Sequence, residues 1–139
     1  MKTEVLIVED DEVVAFLQKS ILEECGISSS PICFINGEEA LNYLKRNSIG
    51  SKNILILLDI NMPVMDGWGF LDAIEEINQV NHFEVIVYMV TSSVQLSDRE
   101  RASKYKIVNG FIDKPLNIQT CLEIKLSFEA RYFFSKRSR

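Results

Sequence analysis

The side chains that could do chemistry together in this sequence are a set of carboxylates, a hydroxyl and a lysine. The acidic run Glu9–Asp11 and the carboxylate of Asp59 each come directly after a short apolar segment, and Thr91 and Lys114 follow two further segments. Carboxylate oxygens without histidine or cysteine suit a hard cation, which favours Mg²⁺ over zinc. With a lysine and a hydroxyl nearby, these groups also suit a phosphoryl group, which Asp59 could accept as an acyl phosphate.

Each of these residues, taken singly, also has a structural explanation. An aspartate at the end of a strand usually caps a helix or forms a turn, and Asp10 or Asp11 could cap the helix that follows. A single Lys-Pro pair carries no information about function. The chemical interpretation therefore depends on whether the fold brings these residues to one place.

Five short apolar runs alternate with five segments of helical character. The predicted strands are Val5–Val8, Pro31–Ile35, Ile54–Leu58, Glu84–Val90 and Val108–Ile112. The predicted helices are marked by Val14, Leu17, Ile21 and Leu22; by Ala40, Leu41 and Leu44; by Phe70, Leu71, Ile74 and Ile77; by Leu96, Ala102 and Tyr105; and by Ile118, Cys121, Leu122, Lys125 and Leu126. Strict alternation predicts a parallel sheet with right-handed crossovers and helices on both faces. The carboxyl ends of such strands share one edge, where doubly wound sheets bind ligands.

Length and composition describe one globular domain. The 139 residues are 47% apolar and 25% charged, with a net charge of -5. Four of the 15 basic residues fall in 131–139, which contains no acid, so residues 1–130 carry a net charge of -9. An acidic body disfavours nucleic acid as a direct partner, because phosphate binding needs clustered lysine and arginine.

Cysteine usage and the N-terminal residues indicate the compartment. Cys25, Cys33 and Cys121 are odd in number and form no CxxC pair, which predicts buried free thiols in a reducing environment. Acids interrupt the first apolar run at Glu9, so it is no signal peptide, and no apolar segment is long enough to span a membrane. We expect a cytoplasmic protein without membrane contact. His82, a single histidine in a polar connector, receives no role.

Four motifs carry a resemblance to a known family. They are Leu6–Asp11, Leu58–Gly67, Val90–Ser92 and Phe111–Pro115, each at a predicted strand end. Together they resemble the receiver domain of two-component response regulators, in particular the single-domain chemotaxis type, over residues 4–128. The resemblance implies an α/β fold, a doubly wound, flavodoxin-like (βα)5 three-layer sandwich whose five-stranded parallel sheet has the order 2-1-3-4-5. It implies a receiver domain at 1–130 and leaves 131–139 as a basic, aromatic tail, either an extension of the last helix or a partner-docking segment.

The resemblance also implies roles for the acidic residues. Asp59 resembles the phosphoacceptor that takes a phosphoryl group from a histidine kinase or a histidine phosphotransfer protein. Glu9 and Asp10 resemble the acidic pair that holds Mg²⁺ together with Asp59, and the backbone carbonyl of Asn61 would complete the ligands. Asp11 falls outside this pair, so we expect it to cap the first helix.

The remaining motif residues resemble the parts that read out phosphorylation. Lys114 matches the lysine that pairs with a phosphoryl oxygen, and its bond to Pro115 is cis in this family. Thr91 matches the switch hydroxyl that moves toward the phosphate. Phe111 matches the switch aromatic that turns inward behind it, here without the hydroxyl of a tyrosine. Asn61 and Ser93 occupy the positions that tune water access to the acyl phosphate.

The output implied by the resemblance is a protein-interaction surface on the fourth helix, fifth strand and fifth helix. We expect an unidentified downstream protein to read it, no attached output domain, and a monomer or a weak dimer through the same surface. The domain would assist only its own phosphorylation and dephosphorylation. Two alternatives stay open: a haloacid-dehalogenase-type phosphatase, which needs a second aspartate where Asn61 stands, and a flavodoxin-like nucleotide binder, which needs a glycine-rich loop after the first strand.

Overall fold

The computed structural model alternates strands with helices along the chain. It describes residues 2–28, 30–47, 52–81, 84–92 and 95–137, and these hold five strands and five helices. The strands are β1 (Lys2–Val8), β2 (Ile32–Phe34), β3 (Lys52–Leu58), β4 (Glu84–Thr91) and β5 (Val108–Asp113). The helices are α1 (Glu12–Glu24), α2 (Gly37–Arg46), α3 (Gly67–Asn81), α4 (Leu96–Ser103) and α5 (Ile118–Arg137). His82, Ser93 and the side chains of residues 130–139 lie outside the described part, so the predictions made for them have no structural counterpart.

The sheet is parallel throughout, and its order β2-β1-β3-β4-β5 confirms the predicted topology. β1 and β3 run in register up to Val8, which lies opposite Leu58. The two strands therefore end side by side. Glu9 and Asp59, the residues that follow them, leave the sheet at the same level.

The ends of β4 and β5 are aligned in the same way. Thr91, the last residue of β4, lies opposite Asp113, the last residue of β5. Lys114 follows directly, and its backbone N–H donates to the carbonyl oxygen of Thr91 at 2.9 Å. The register thus brings the hydroxyl and the lysine to the edge at which the acidic residues emerge.

β3 lies in the centre of the sheet and is buried on both faces. Ile54, Ile56 and Leu58 pack in the hydrophobic cluster that includes residues of α2 and α3. Leu55 and Leu57 pack in the cluster that includes residues of α1 and α5. Each buried side chain of this size contributes roughly 1.5–3 kcal/mol relative to exposure. Asp59 is therefore attached to a firmly packed strand.

The buried face of α1 differs from the prediction. Leu17 is 52% exposed, whereas the adjacent Gln18 is 3% exposed and is buried with Ala15 and Leu22. Helical spacing identifies residues that share a face, but it does not decide which of two apolar faces packs on the sheet. The prediction of Leu17 as a core contact was wrong for this reason, and that of Leu22 is confirmed.

Two further helices show the same kind of error. On α5, Leu122 and Leu126 are exposed, while Cys121 and Ile124 are buried. On α4, Leu96 is 68% exposed and the buried residue is Ala102. The predicted faces of α2 and α3 are confirmed by the burial of Ala40, Leu41, Leu44, Phe70, Leu71 and Ile74.

The edge strand β2 is shorter and more open than predicted. It ends at Phe34, and Ile35 beyond it is 51% exposed. All three cysteines are free, and Cys25 and Cys121 are buried as expected, but Cys33 is exposed. The prediction of a buried thiol at Cys33 was wrong because β2 is the outermost strand of the sheet, with a neighbour on one side only.

Candidate functional site

Three carboxylates converge at the carboxyl edge of the sheet. One oxygen from each of Glu9, Asp10 and Asp59 lies within 4.8 Å of the others. Backbone hydrogen bonds extend the strand ladder by one residue here, since Asp59 N donates to Val8 O at 3.0 Å and Glu9 N donates to Phe34 O at 3.0 Å. Glu9 and Asp59 are buried, and Asp10 is exposed. The strands thus hold two of the carboxylates rigidly and leave the third open to solvent.

Lys114 completes this cluster from the opposite side. Its Nζ atom lies 2.5 Å from Glu9 Oε1 and donates a hydrogen bond to Asp59 Oδ2 at 3.2 Å. Burial lowers the pKa of Lys114, but its contacts with Glu9 and Asp59 outweigh burial, so that the pKa is raised. The Lys114–Pro115 peptide bond is cis, as the resemblance implies. The site therefore contains a fixed positive charge shared by two buried carboxylates.

Glu9 is a buried carboxylate whose pKa is raised. Burial raises its pKa to about 7, against the lowering effects of Lys114 and of the hydrogen bond from Asp11 N to Glu9 Oε2, and the charge of Asp59 raises it further. Glu9 Oε1 is buried, and Lys114 pairs with it. Together with Asp10 and Asp59, Glu9 offers three carboxylate oxygens, a set of ligands that fits a hard divalent cation. The acidic cluster could accordingly hold a metal.

The loop after β3 fixes the position of Asp59. Asp59 Oδ1 accepts a hydrogen bond from Ile60 N at 2.8 Å, and Ile60 O accepts one from Gly67 N at 2.8 Å. A Cβ atom at position 67 would overlap the carbonyl oxygen of Asp59 and lie 3.0 Å from Ile60 Cα, which explains glycine there. Asn61 lies in this loop with an exposed side chain.

Thr91 and Phe111 lie on the β4–β5 side of the site. Thr91 is 1% exposed, and its carbonyl oxygen is bonded to Lys114 N. Phe111 pairs with Met89 across the sheet and is half-buried, with its ring packed against the core cluster. The guanidinium carbon of Arg99 lies 4.6 Å from the centre of that ring.

Asp11 and Arg99 lie beside the site; the role of the first was predicted from the sequence, and that of the second was not. Asp11 caps α1, as predicted, by accepting hydrogen bonds from Val13 N and Val14 N. Sequence reasoning missed Arg99, which contacts Phe111 and also pairs with Asp113 at 2.7 Å. Its only sequence signal was membership of the strongly charged fourth helix, a pattern that usually marks a solvated face.

Comparison of this chain with known proteins identifies a family whose model it matches. The model of the response regulator receiver domain matches residues 5–124. The autoinducer 1 sensor kinase/phosphatase LuxN of Vibrio campbellii is 33% identical over 114 residues, a match that covers 82% of this chain but 12% of that protein. The polar-differentiation response regulator DivK of Brucella anthropi is 28% identical over 128 residues, which cover 92% of this chain and 97% of that protein.

A solved structure extends the likeness to the fold. The CheX-CheY-BeF3-Mg+2 complex from Borrelia burgdorferi contains a chain with a TM-score of 0.73 and 26% identity, covering 91% of this chain and 87% of its own length. The parallel five-stranded sheet and its surrounding helices therefore occur in a solved relative. Among the described residues, no helix has the length and hydropathy required to cross a membrane.

Proposed function

Because this chain belongs to the response regulator receiver domain family of two-component signalling, we propose that it accepts a phosphoryl group on Asp59. The donor would be a histidine kinase or a histidine phosphotransfer protein. The observation that carries the proposal is the contact of Asp59 with Lys114 inside a cluster that also holds Glu9 and Asp10. A structural aspartate would need neither the partly buried lysine nor the second buried carboxylate.

The metal in this proposal is Mg²⁺. Glu9, Asp10 and Asp59 would hold it, together with the backbone carbonyl of Asn61. The all-oxygen donor set supports a divalent cation at this place. When bound, Mg²⁺ would supply positive charge to the oxygens of the transferring group.

The residues of the chain itself would act through position and charge. In the transfer, an Asp59 carboxylate oxygen forms a bond to phosphorus as the nitrogen–phosphorus bond of the donor phosphohistidine breaks. The leaving imidazole keeps the electron pair of that bond. Lys114, already within 3.2 Å of Asp59, offsets the negative charge that the acyl phosphate adds. The rigid end of β3 keeps the nucleophile in place.

The response would be a shift between two conformations of the domain. Thr91 would move toward the phosphoryl group, and Phe111 would turn into the space behind it. The surface of α4, β5 and α5 would then present a changed shape to a downstream protein, or to a second copy in a weak dimer. The match to part of a sensor kinase, and a solved relative bound to CheX, support a signalling role through protein partners.

The test is labelling by acetyl phosphate, read as one added phosphoryl group by mass spectrometry. We expect the wild-type protein to be labelled with Mg²⁺ present and not with a chelator, and Asp59→Asn to stay unlabelled. Asp66→Asn is a matched control from the same loop, because Asp66 lies outside the carboxylate cluster and should be dispensable. Equal labelling of Asp59→Asn would refute the acceptor assignment. Sustained turnover of a small phosphoester would instead favour the phosphatase alternative.

A further inference from the structure

The helix α4 is held to the rest of the domain by few buried side chains. Of its eight residues, Ala102 is buried, and its N-cap residue Gln95 makes no side-chain capping bond. Arginine side chains contact aromatic rings on two flanks of this helix. Arg101 lies over Trp68 of α3 at 4.4 Å, and Arg99 lies over Phe111 of β5 at 4.6 Å.

The guanidinium group of Arg99 makes two contacts with β5, one with the ring of Phe111 and one with the carboxylate of Asp113. While the group covers the Phe111 ring, its Nη2 atom donates a hydrogen bond to Asp113 Oδ1 at 2.7 Å. Phe111 and Asp113 are two residues apart on β5, so their side chains point to the same face of the strand. The ion pair therefore ties the guanidinium group to a position above the ring, although both side chains are exposed, Arg99 by 41% and Asp113 by 67%.

We propose that Arg99 is the positioning residue that holds Phe111 in its half-buried position and thereby sets how readily the domain switches. This inference rests on the proposed function, in which Phe111 turns inward after phosphorylation. The cation–π contact exists only while the ring lies under Arg99, so it selectively stabilises this half-buried position of Phe111. A contact that differs between two states shifts their populations, whereas a contact common to both does not.

The expected size of the effect follows from the exposure of the contact. A cation–π contact at a partly exposed site changes a two-state equilibrium by about two- to five-fold. Asp113 also directly precedes Lys114, which contacts Asp59. A movement of Lys114 at the phosphorylation site therefore has a short route through the backbone to the anchor of Arg99.

The test uses the full chain and two readouts. The first is the side-chain rotamer of Phe111 in the unphosphorylated protein, measured by NMR three-bond couplings. The second is the concentration of beryllofluoride, a phosphoryl mimic, that half-saturates the protein in the presence of Mg²⁺. We expect Arg99→Gln to raise the inward population of Phe111 about two- to five-fold and to lower the half-saturating concentration by up to the same factor. Arg99→Lys keeps a cation but lacks the planar group that covers the ring and bonds Asp113 at once, so it should restore only part of the wild-type behaviour.

Arg101→Gln is the matched control, since it removes the other arginine–aromatic contact of α4 without touching Phe111. The proposal is overturned if Arg99→Gln leaves the Phe111 rotamer unchanged, or if Arg101→Gln changes it equally, because general loosening of α4 would then be the cause. Wild-type protein that fails to bind beryllofluoride would refute the proposed function. The rotamer readout would still decide the role of Arg99, since it requires no phosphoryl mimic.

Discussion

Val64 adopts a left-handed backbone conformation, with a φ of 69°, in the loop that follows Asp59. A β-branched residue is unfavourable there by roughly 1–2 kcal/mol. Val64 is also 76% exposed, so packing offsets little of this cost. Asparagine tolerates the conformation better. We expect Val64→Asn to stabilise the protein by about 1 kcal/mol, measured as a higher midpoint of urea unfolding with an unchanged slope.

Val13 provides the control for this prediction. It is also strongly exposed, but it lies in the first turn of α1, where asparagine has no conformational advantage. Val13→Asn should therefore bring no gain in stability. A midpoint that stays constant or falls in Val64→Asn would show that the left-handed conformation imposes no strain on the folded protein.

Tyr43 joins α2 to β1, because its hydroxyl donates a hydrogen bond to Glu4 Oε1 at 2.5 Å. Burial, with this hydrogen bond and the charge of Glu4, raises the pKa of Tyr43 to about 12. The folded protein thus holds the phenolic proton more tightly than the unfolded chain, whose tyrosine pKa is about 10. The resulting stabilisation is fully present below a pH of about 10 and is lost as the pH rises through about 12.

Replacement of Tyr43 by phenylalanine tests this linkage. We expect Tyr43→Phe to lower the free energy of unfolding by about 1 kcal/mol at neutral pH. The difference from the wild type should shrink as the pH rises from about 10 toward about 12. Urea unfolding of both proteins at several pH values measures it. A difference that stays the same across this range would mean that titration of the hydroxyl contributes nothing to stability.

At the scale of elements, the start of α1 separates two adjacent carboxylates by role. Asp11 Oδ1 accepts hydrogen bonds from Val13 N at 2.9 Å and from Val14 N at 3.2 Å, whereas Asp10 belongs to the carboxylate cluster. Asp11→Ala should therefore lower the free energy of unfolding by about 1 kcal/mol and preserve labelling by acetyl phosphate. Asp10→Ala should leave the free energy of unfolding nearly unchanged and remove most of the Mg²⁺-dependent labelling.

The two variants serve as controls for each other, because they remove neighbouring carboxylates of the same chemistry. Urea unfolding and mass spectrometry after acetyl phosphate treatment should be applied to both. Loss of labelling in Asp11→Ala with intact folding would place Asp11 in the metal site. An Asp10→Ala protein that is labelled as well as the wild type would remove Asp10 from that site.

Helix faces could be predicted from sequence only where a helix has a single apolar stripe. In α2, Ala40, Leu41 and Leu44 stand among charged and polar residues, so the buried side has no competitor. α1 has apolar residues on more than one side, and both Phe16 and Leu17 remain exposed. The choice between its faces depends on how the helix lies on the sheet and on α5, which local spacing does not contain.

At the scale of the molecule, alternation of strands and helices was sufficient to predict the parallel sheet, and resemblance supplied the strand order. Together they led to the edge at which Glu9, Asp59 and Lys114 meet. The distances among them could not be predicted, because they depend on the register of β1 with β3 and of β4 with β5. The burial of Glu9 and the exposure of Asp10 could not be predicted either, because they depend on the direction in which the chain leaves β1.

The acidic cluster should make the stability of the whole domain dependent on divalent cations. A ligand that binds only the folded protein stabilises it by about 2.7 kcal/mol at a concentration 100-fold above its Kd. We therefore expect Mg²⁺ to raise the midpoint of thermal unfolding with saturation, as it relieves the repulsion among Glu9, Asp10 and Asp59. Chelation should return the midpoint to its starting value, as measured by differential scanning calorimetry.

Two comparisons separate binding at the cluster from general effects of salt. NaCl at equal ionic strength screens surface charges but offers no divalent cation, so it should produce a smaller change without saturation. Asp10→Ala removes the exposed carboxylate of the cluster and leaves the buried Glu9 and Asp59 in place. The unfolding midpoint of this variant should change with Mg²⁺ only as much as that of the wild type changes with NaCl. If Mg²⁺ stabilises Asp10→Ala as much as the wild type, the cation acts at dispersed carboxylates of the acidic surface, and the stability of the domain is not coupled to this cluster.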